Sequence, residues 1–377
     1  MSDHLRDTLR ALEAPDEAAS EERARRAAQL AYGDREPIRT PRRVSTRTRL
    51  LLIGAGAATL GAGSVAAAER ALRPTPRPQT PRVTMGSLGP GVVLAIANER
   101  VWALSGLRRR PLGRATDAGL SPRGLNAVLA SGRRLTAVEI KTGKEQWHID
   151  APGAVSVPRW SLERSFDTRI AYRVGAALYA AGGDGRGPAG TSVPRLLSTR
   201  SDAVAPAWRP QSTDRELAFV RHGEVVVMRA DDGHLVAHVR VPNTPVLGLS
   251  WRADGTKLAI ATHAGVTTFD PQTGGLRTSD EDRGLVSATF APRGDALLLQ
   301  ERTARGIRLK IRGRYSLLES AGVFGQPVFA PSGNRVLLSG PSLDAWTEVA
   351  FPSGTQRQLQ GVSTTLHGPA RIVGFAQ

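Results

Sequence analysis

A chain of 377 residues with 40 Gly, 25 Pro and no Cys has room for one large β-rich domain plus a small appendage. The missing cysteine excludes disulfides, thiol catalysis and cysteine-ligated zinc, so an exported domain of this composition is held by packing alone. The formal net charge is +17, of which residues 1–49, with 11 Arg and nine acidic side chains, carry only +2, so the excess of cations lies further down the chain.

In residues 1–49, Leu5, Leu9 and Leu12 recur at helical spacing behind Ser2. Pro15 followed by Asp16 and Glu17 opens a second helix, which carries Ala27, Leu30, Ala31 and Tyr32 near its end. Two short helices cannot bury a core of their own, so this segment predicts docking onto another protein. Residues 50–68 form a 19-residue uncharged run, about the length a helix needs to cross a bilayer. Arg35, Arg39, Arg42, Arg43, Arg47 and Arg49 precede it, whereas Glu69 offsets Arg70 and Arg73 after it. The positive-inside rule then places residues 1–49 in the cytoplasm and the rest of the chain outside a plasma membrane crossed once.

A cleaved leader is the rival reading, with Ala66-Ala67-Ala68 as a small-residue cleavage site and Arg42-Arg43 as a loose twin-arginine pair. A leader of 49 residues ahead of the apolar run is long for a secretory signal, which favours the retained anchor. Gly54, Ala58, Ala62 and Ala66 fall on one helical face, a spacing that permits a homodimer seam, but a weakly apolar span that follows the Ala/Gly-rich composition of the chain is the favoured account. Pro74, Pro76, Pro78 and Pro81 make residues 69–85 a stiff, extended linker.

Residues 86–377 are dominated by a repeat. An aromatic residue ends a short apolar run, a Gly- or Asp-containing turn follows, and two or three alternating strands come next. The anchors Trp160, Trp208, Trp251, Phe290 and Phe329 are separated by 48, 43, 39 and 39 residues, the period of one four-stranded propeller blade. The Trp251 unit is the clearest, with strands expected at 246–251, 258–262 and 266–270 and turns at Ala253-Asp254-Gly255-Thr256 and Pro271-Gln272-Thr273-Gly274-Gly275. A sheet of this kind cannot bury both faces alone, so the units must stack radially with the anchors between blades. Ser121-Pro122-Arg123-Gly124 opens a weaker unit, and 92–97 and 100–104 read as middle strands lacking an inner partner. The last residues, 370–377, have the pattern of an inner strand with nothing after it, so the terminus is expected to complete the first blade and remove the open edges. The sum is an all-β propeller of seven blades, with six as the alternative.

Strings such as Trp251-Arg252-Ala253-Asp254-Gly255 and Phe290-Ala291-Pro292-Arg293-Gly294 resemble the blade openings of TolB-like and WD-repeat-like propellers. Thr142-Gly143-Lys144-Glu145-Gln146-Trp147 resembles a quinoprotein-type blade. The layout of inner helices, one span and an outer propeller is similar to uncharacterised single-pass proteins and, more distantly, to membrane anti-sigma factors. The resemblance implies a bacterial cell-envelope protein that binds partners through the propeller, with a cytoplasmic regulator such as a sigma factor on residues 1–49.

Catalytic motifs are missing. The chain has no Gly-x-x-x-x-Gly-Lys-Ser/Thr, no His-Glu-x-x-His and no Gly-x-Ser-x-Gly, so phosphate-loop, zinc-peptidase and hydrolase-elbow chemistry lack their placing residues. His234 and His238 are too few for zinc, Asp280-Glu281-Asp282 lacks the spacing of a calcium loop, and residues 182–187 read as a Gly-rich hairpin insertion. No metal or cofactor is expected. Arg308, Lys310, Arg312 and Arg314 alternate with Ile307, Leu309 and Ile311, so one strand face would carry four cations. Such a face either protects a sheet edge from pairing or binds an anionic lipid or envelope polymer. Nucleic acid is excluded as a partner by an extracytoplasmic location. The expectation is a non-enzymatic binding or sensing propeller, against an exported propeller enzyme of quinoprotein or lactonase type, or a TolB-like envelope scaffold.

Overall fold

The computed structural model describes residues 82–84, 88 and 91–376, apart from loop positions 107, 163–167, 187–192, 242–244, 280–283, 315, 321–324 and 341–343. The expected cytoplasmic helices, the span at 50–68 with its homodimer seam, most of the linker and the acidic cluster Asp280-Glu281-Asp282 lie outside the described residues. Among the described residues no helix is long and apolar enough to cross a membrane.

The described chain begins with β1 (Arg82–Thr84) and then builds seven four-stranded antiparallel sheets in order. Blade 1 holds β2 (Val92–Ala97), β3 (Arg100–Ser105) and β4 (Arg108–Arg114); blade 2 is β5 (Asp117–Leu120), β6 (Asn126–Ser131), β7 (Arg134–Glu139) and β8 (Glu145–Asp150). Blade 3 is β9 (Val155–Trp160), β10 (Arg169–Val174), β11 (Ala177–Gly182) and β12 (Arg195–Ser198). Blade 4 is β13 (Ala207–Trp208), β14 (Glu216–Arg221), β15 (Glu224–Arg229) and β16 (Leu235–Arg240). Blade 5 is β17 (Val246–Trp251), β18 (Leu258–Thr262), β19 (Gly265–Phe269) and β20 (Leu276–Ser279). Blade 6 is β21 (Leu285–Phe290), β22 (Leu297–Thr303), β23 (Gly306–Ile311) and β24 (Ser316–Ser320). Blade 7 is β25 (Val328–Phe329), β26 (Arg335–Ser339), β27 (Trp346–Ala350) and β28 (Gln356–Gln360). A single turn of helix, α1 (Val362–Leu366), leads into β29 (Ala370–Ala376), which pairs with β2 and completes blade 1 from the far end of the chain.

Alternation along the strands explains the stacking. In β2, Val93, Ala95 and Ala97 pack with Leu337 and Trp346 of blade 7, while Leu94 and Ile96 pack with Ala118 and Leu129 of blade 2. The same division repeats at every interface, so the seven apolar clusters each join two consecutive blades and the last joins blade 7 to blade 1. Both faces of the middle strands are therefore buried, which is why they read as almost continuous apolar runs such as Val225-Val226-Val227. Seven clusters for seven sheets mean a closed ring, and six blades are ruled out.

Closure is reinforced by polar contacts. The fully buried Trp346 of blade 7 donates its Nε1–H to the Ala370 carbonyl at 3.0 Å, and the Ile372 N–H donates to Ser339 Oγ at 3.0 Å. Arg371 reaches from β29 to Asp117 of blade 2 at 3.3 Å. Buried charge also ties blade 3 to blade 4, where Asp231 accepts from Arg169 at 2.8 Å and from Arg215 at 2.5 Å. Burial would by itself raise the Asp231 pKa, but the hydrogen bonds from Arg169 and Arg215 outweigh it and hold the carboxyl below its ordinary range.

Two features depart from expectation. Residues Arg82–Thr84, within the stretch read as linker, pair in parallel with Gln358–Gln360 and widen blade 7 to five strands. The strand at 308–314 is shorter than the alternation suggested. It ends at Ile311, because Gly313 adopts φ 70° and turns the chain.

Candidate functional site

In blades 2 to 7 the inner strand ends at an anchor position and the chain turns back into the second strand of the same blade, while β29 brings the inner strand of blade 1 to the same end of the ring. The residue after the anchor donates its N–H back across the turn, as from Arg252 to Lys257 O, Ala291 to Ala296 O and Ala330 to Arg335 O. Four residues beyond the anchor a glycine takes the left-handed conformation: Gly124, Gly255, Gly294 and Gly333, with φ between 65° and 75°. In blade 4 there is no glycine at this turn, and Gln211 supplies the positive φ of 57°.

The sequence-predicted anchors occupy equivalent places. Trp160, Trp208, Trp251, Phe290 and Phe329 all line a cavity of about 750 Å³ at this end of the axis. They also fill the clefts between blades: Trp208 Nε1 donates to the Arg159 carbonyl of blade 3 at 2.9 Å, and Trp251 Nε1 to the Ala207 carbonyl of blade 4 at 3.0 Å. Trp160, Trp208 and Trp251 are buried, whereas Phe290 and Phe329 are half-buried. Phe329 is braced edge-on by Phe351, with ring centres 5.2 Å apart.

Pairing registers add two members that sequence reasoning missed. Leu120 opposes Ala127 and Phe375 opposes Val93, the places that Trp208 and Trp251 take opposite Leu217 and Leu258. Leu120 is followed by Ser121-Pro122-Arg123-Gly124, the same turn string as its neighbours, so the string identified the unit while its aliphatic anchor went unread. Phe375 lies outside any such turn string. Prolines Pro122, Pro210, Pro292 and Pro331 complete a rigid rim.

One residue before the anchors runs a second ring of lining positions: Gly119, Arg159, Ala207, Ser250, Thr289, Val328 and Gly374. Glycine is required where the inner strands crowd, since a Cβ on Gly119 would lie 2.6 Å from the Pro158 carbonyl oxygen. Among the described residues Arg159 is the one charged side chain in the lining. Its Nη1 donates to the Pro158 carbonyl at 2.9 Å, and burial presses its pKa below the ordinary arginine value, with Asp117 opposing that shift and Arg371 adding to it. The cavity thus combines flat apolar walls with a single cation.

Beside the mouth lies a shallow polar depression formed by Gln211, Arg252, Asp254, Arg293 and Asp295. A hydrogen bond from Arg252 holds the Asp254 carboxyl well below the usual carboxylate range. Arg209 links this rim across blades, donating to Glu216 at 2.5 Å and to the Gly255 carbonyl at 2.6 Å while lying 5.4 Å over the Trp251 ring.

The remaining candidates do not converge. Of the four cations proposed for one strand face, Arg308 and Lys310 stand on β23 and Arg312 and Arg314 fall in the turn after it. Lys310 pairs with Glu301 at 2.7 Å and Arg308 with Glu319 at 3.6 Å, and β23 is hydrogen-bonded on both sides, so it is not an outer edge. His238 Nδ1 is 2.8 Å from Glu224, and His234 sits in the preceding turn. The Gly-rich hairpin packs on blade 2, where Trp147 Nε1 donates to the Gly183 carbonyl at 2.9 Å. Among the described residues no group of three or more His, Asp or Glu side chains is placed to hold a metal ion.

No protein-family model and no curated protein matches the chain. The class that the coordinates define is a seven-bladed β-propeller.

Proposed function

We propose that the protein is a non-enzymatic binding module whose propeller takes a ligand or protein partner at its aromatic axial mouth. In this reading residues 50–68 anchor the propeller outside the plasma membrane, and residues 1–49 dock a cytoplasmic regulator of the sigma-factor type. The supporting observation is the cavity: rings contributed by several blades and a proline rim enclose about 750 Å³, within the size range of small-molecule sites. The likeness of the turn strings to TolB-like and WD-repeat-like propellers supports a role in partner binding over chemistry.

Protease treatment of intact spheroplasts tests the layout. The propeller is expected to be digested while a tag at the N-terminus is protected. Protection of the propeller, or recovery of the chain in the cytosolic fraction, contradicts the layout. Partner capture by the full-length chain tests the mouth, with Phe290→Ala and Phe329→Ala expected to weaken capture because both rings are half-buried at the opening.

A further inference from the structure

Arg159 is an expensive residue for the fold to hold. A guanidinium stripped of water loses hydration that only a hydrogen-bonded counter-charge restores. Among the described residues no carboxylate lies within ion-pair distance of it, and its hydrogen bond goes to the neutral Pro158 carbonyl. The nearby Asp117 is engaged elsewhere: its Oδ1 accepts from Ala118 N at 2.9 Å and from Arg371 at 3.3 Å, and its Oδ2 accepts from Val157 N at 3.0 Å. Arg159 is half-buried at the cavity wall, and the desolvation there lowers its pKa, with Asp117 opposing that shift.

The backbone leading to Arg159 is also strained. Val157 has φ 45°, a left-handed conformation that a β-branched residue rarely adopts, and β9 carries a register shift at this point. Bulges re-aim side chains, and a strained residue persists only where its surroundings over-determine it, here through the bond to Asp117. Equivalent positions on the other blades are short, among them Gly119, Ala207, Ser250, Thr289 and Gly374, so among the described residues no second charged side chain lines the cavity opposite Arg159.

We infer that the axial cavity binds a small amphipathic carboxylate, its apolar body against the aromatic ring and its carboxylate on the Arg159 guanidinium. The guanidinium fork suits a planar two-oxygen acceptor, and the Trp and Phe faces suit a flat or branched hydrocarbon body. This inference rests on the binding-module reading above and specifies its ligand class.

The test uses the full-length chain and two probes of nearly equal shape, 2-naphthoate and uncharged 2-naphthamide, titrated by calorimetry. Naphthoate is expected to bind at least about tenfold more tightly than naphthamide, a charge-assisted pair being the difference between them. Arg159→Gln should abolish that preference, and Arg159→Lys should keep part of it. Removing a cation that makes no ion pair among the described residues should leave the melting temperature of Arg159→Gln unchanged or raised, so loss of preference would not reflect unfolding. Equal affinity for both probes, or a preference that survives Arg159→Gln, overturns the carboxylate inference while leaving the cavity a binding site. No binding of either probe overturns the inference and removes the small-ligand form of the binding-module reading as well.

Discussion

Gly255 and Gly294 occupy the same turn position in adjacent blades, with φ 70° and 74°, but their surroundings differ. A Cβ on Gly255 would lie 2.4 Å from the Pro210 carbonyl oxygen of blade 4 and 3.3 Å from Arg209 Cγ, whereas a Cβ on Gly294 would meet nothing within 4 Å. Alanine at either site takes on the left-handed penalty, about 1–2 kcal/mol. At Gly255 the methyl must also push the rim of blade 4 away by roughly 1 Å to restore an ordinary contact distance of about 3.3 Å. Overpacking of this kind adds about 1–3 kcal/mol. The shift would also strain the 2.6 Å bond from Arg209 to the Gly255 carbonyl. Gly255→Ala should therefore destabilise by roughly 2–5 kcal/mol and Gly294→Ala by about 1–2 kcal/mol. Urea unfolding of the full-length variants, followed by tryptophan fluorescence, measures the difference. Gly333→Ala, with φ 75° and its nearest neighbour at 3.6 Å, serves as a second control and should match Gly294→Ala. Equal losses at all three sites would refute the close blade-to-blade contact on which the rim depends.

Other expectations can be checked on the same protein. Trp251→Phe should cost about 1 kcal/mol more than Trp160→Phe in urea unfolding, because Trp251 donates to Ala207 while the buried Trp160 Nε1 has no acceptor among the described residues. Asp231→Asn removes an acceptor shared by Arg169 and Arg215 and should destabilise by about 1–3 kcal/mol at neutral pH. Since the folded Asp231 pKa lies below its unfolded value, its contribution is complete above the unfolded pKa and is lost as pH falls through the folded one. The gap between wild type and Asp231→Asn should therefore narrow on acidification below about pH 4. A gap independent of pH would remove Asp231 as its source.

The period of the aromatic anchors makes the propeller legible in the sequence, because each blade must repeat the same solution to burying two faces. Ring closure is legible for the same reason, since 92–97 and 100–104 lack an inner strand and 370–377 have the pattern of one. What escaped was whatever depends on the ring as a whole. Leu120 and Phe375 join the anchors only through pairing register, and Arg159 becomes a cavity residue only when seven strand ends are brought around one axis. The cationic face at 308–314 was over-read because alternation was followed through Gly313, a residue whose positive φ ends the strand. Parallel pairing of Arg82–Thr84 with β28 had no local signature, since it joins residues separated by the whole ring.

The axial cavity exists only if the C-terminal strand completes the first blade. Ala97 and Ala370 face each other across β2 and β29, both are buried, and the chain has no other cysteine to confuse a cross-link. Oxidation of the Ala97→Cys/Ala370→Cys double variant should yield an intramolecular disulfide, seen as a faster-migrating monomer on a non-reducing gel that reverts with reductant. Free thiols after oxidation, or cross-links formed only between chains, would contradict closure of the ring.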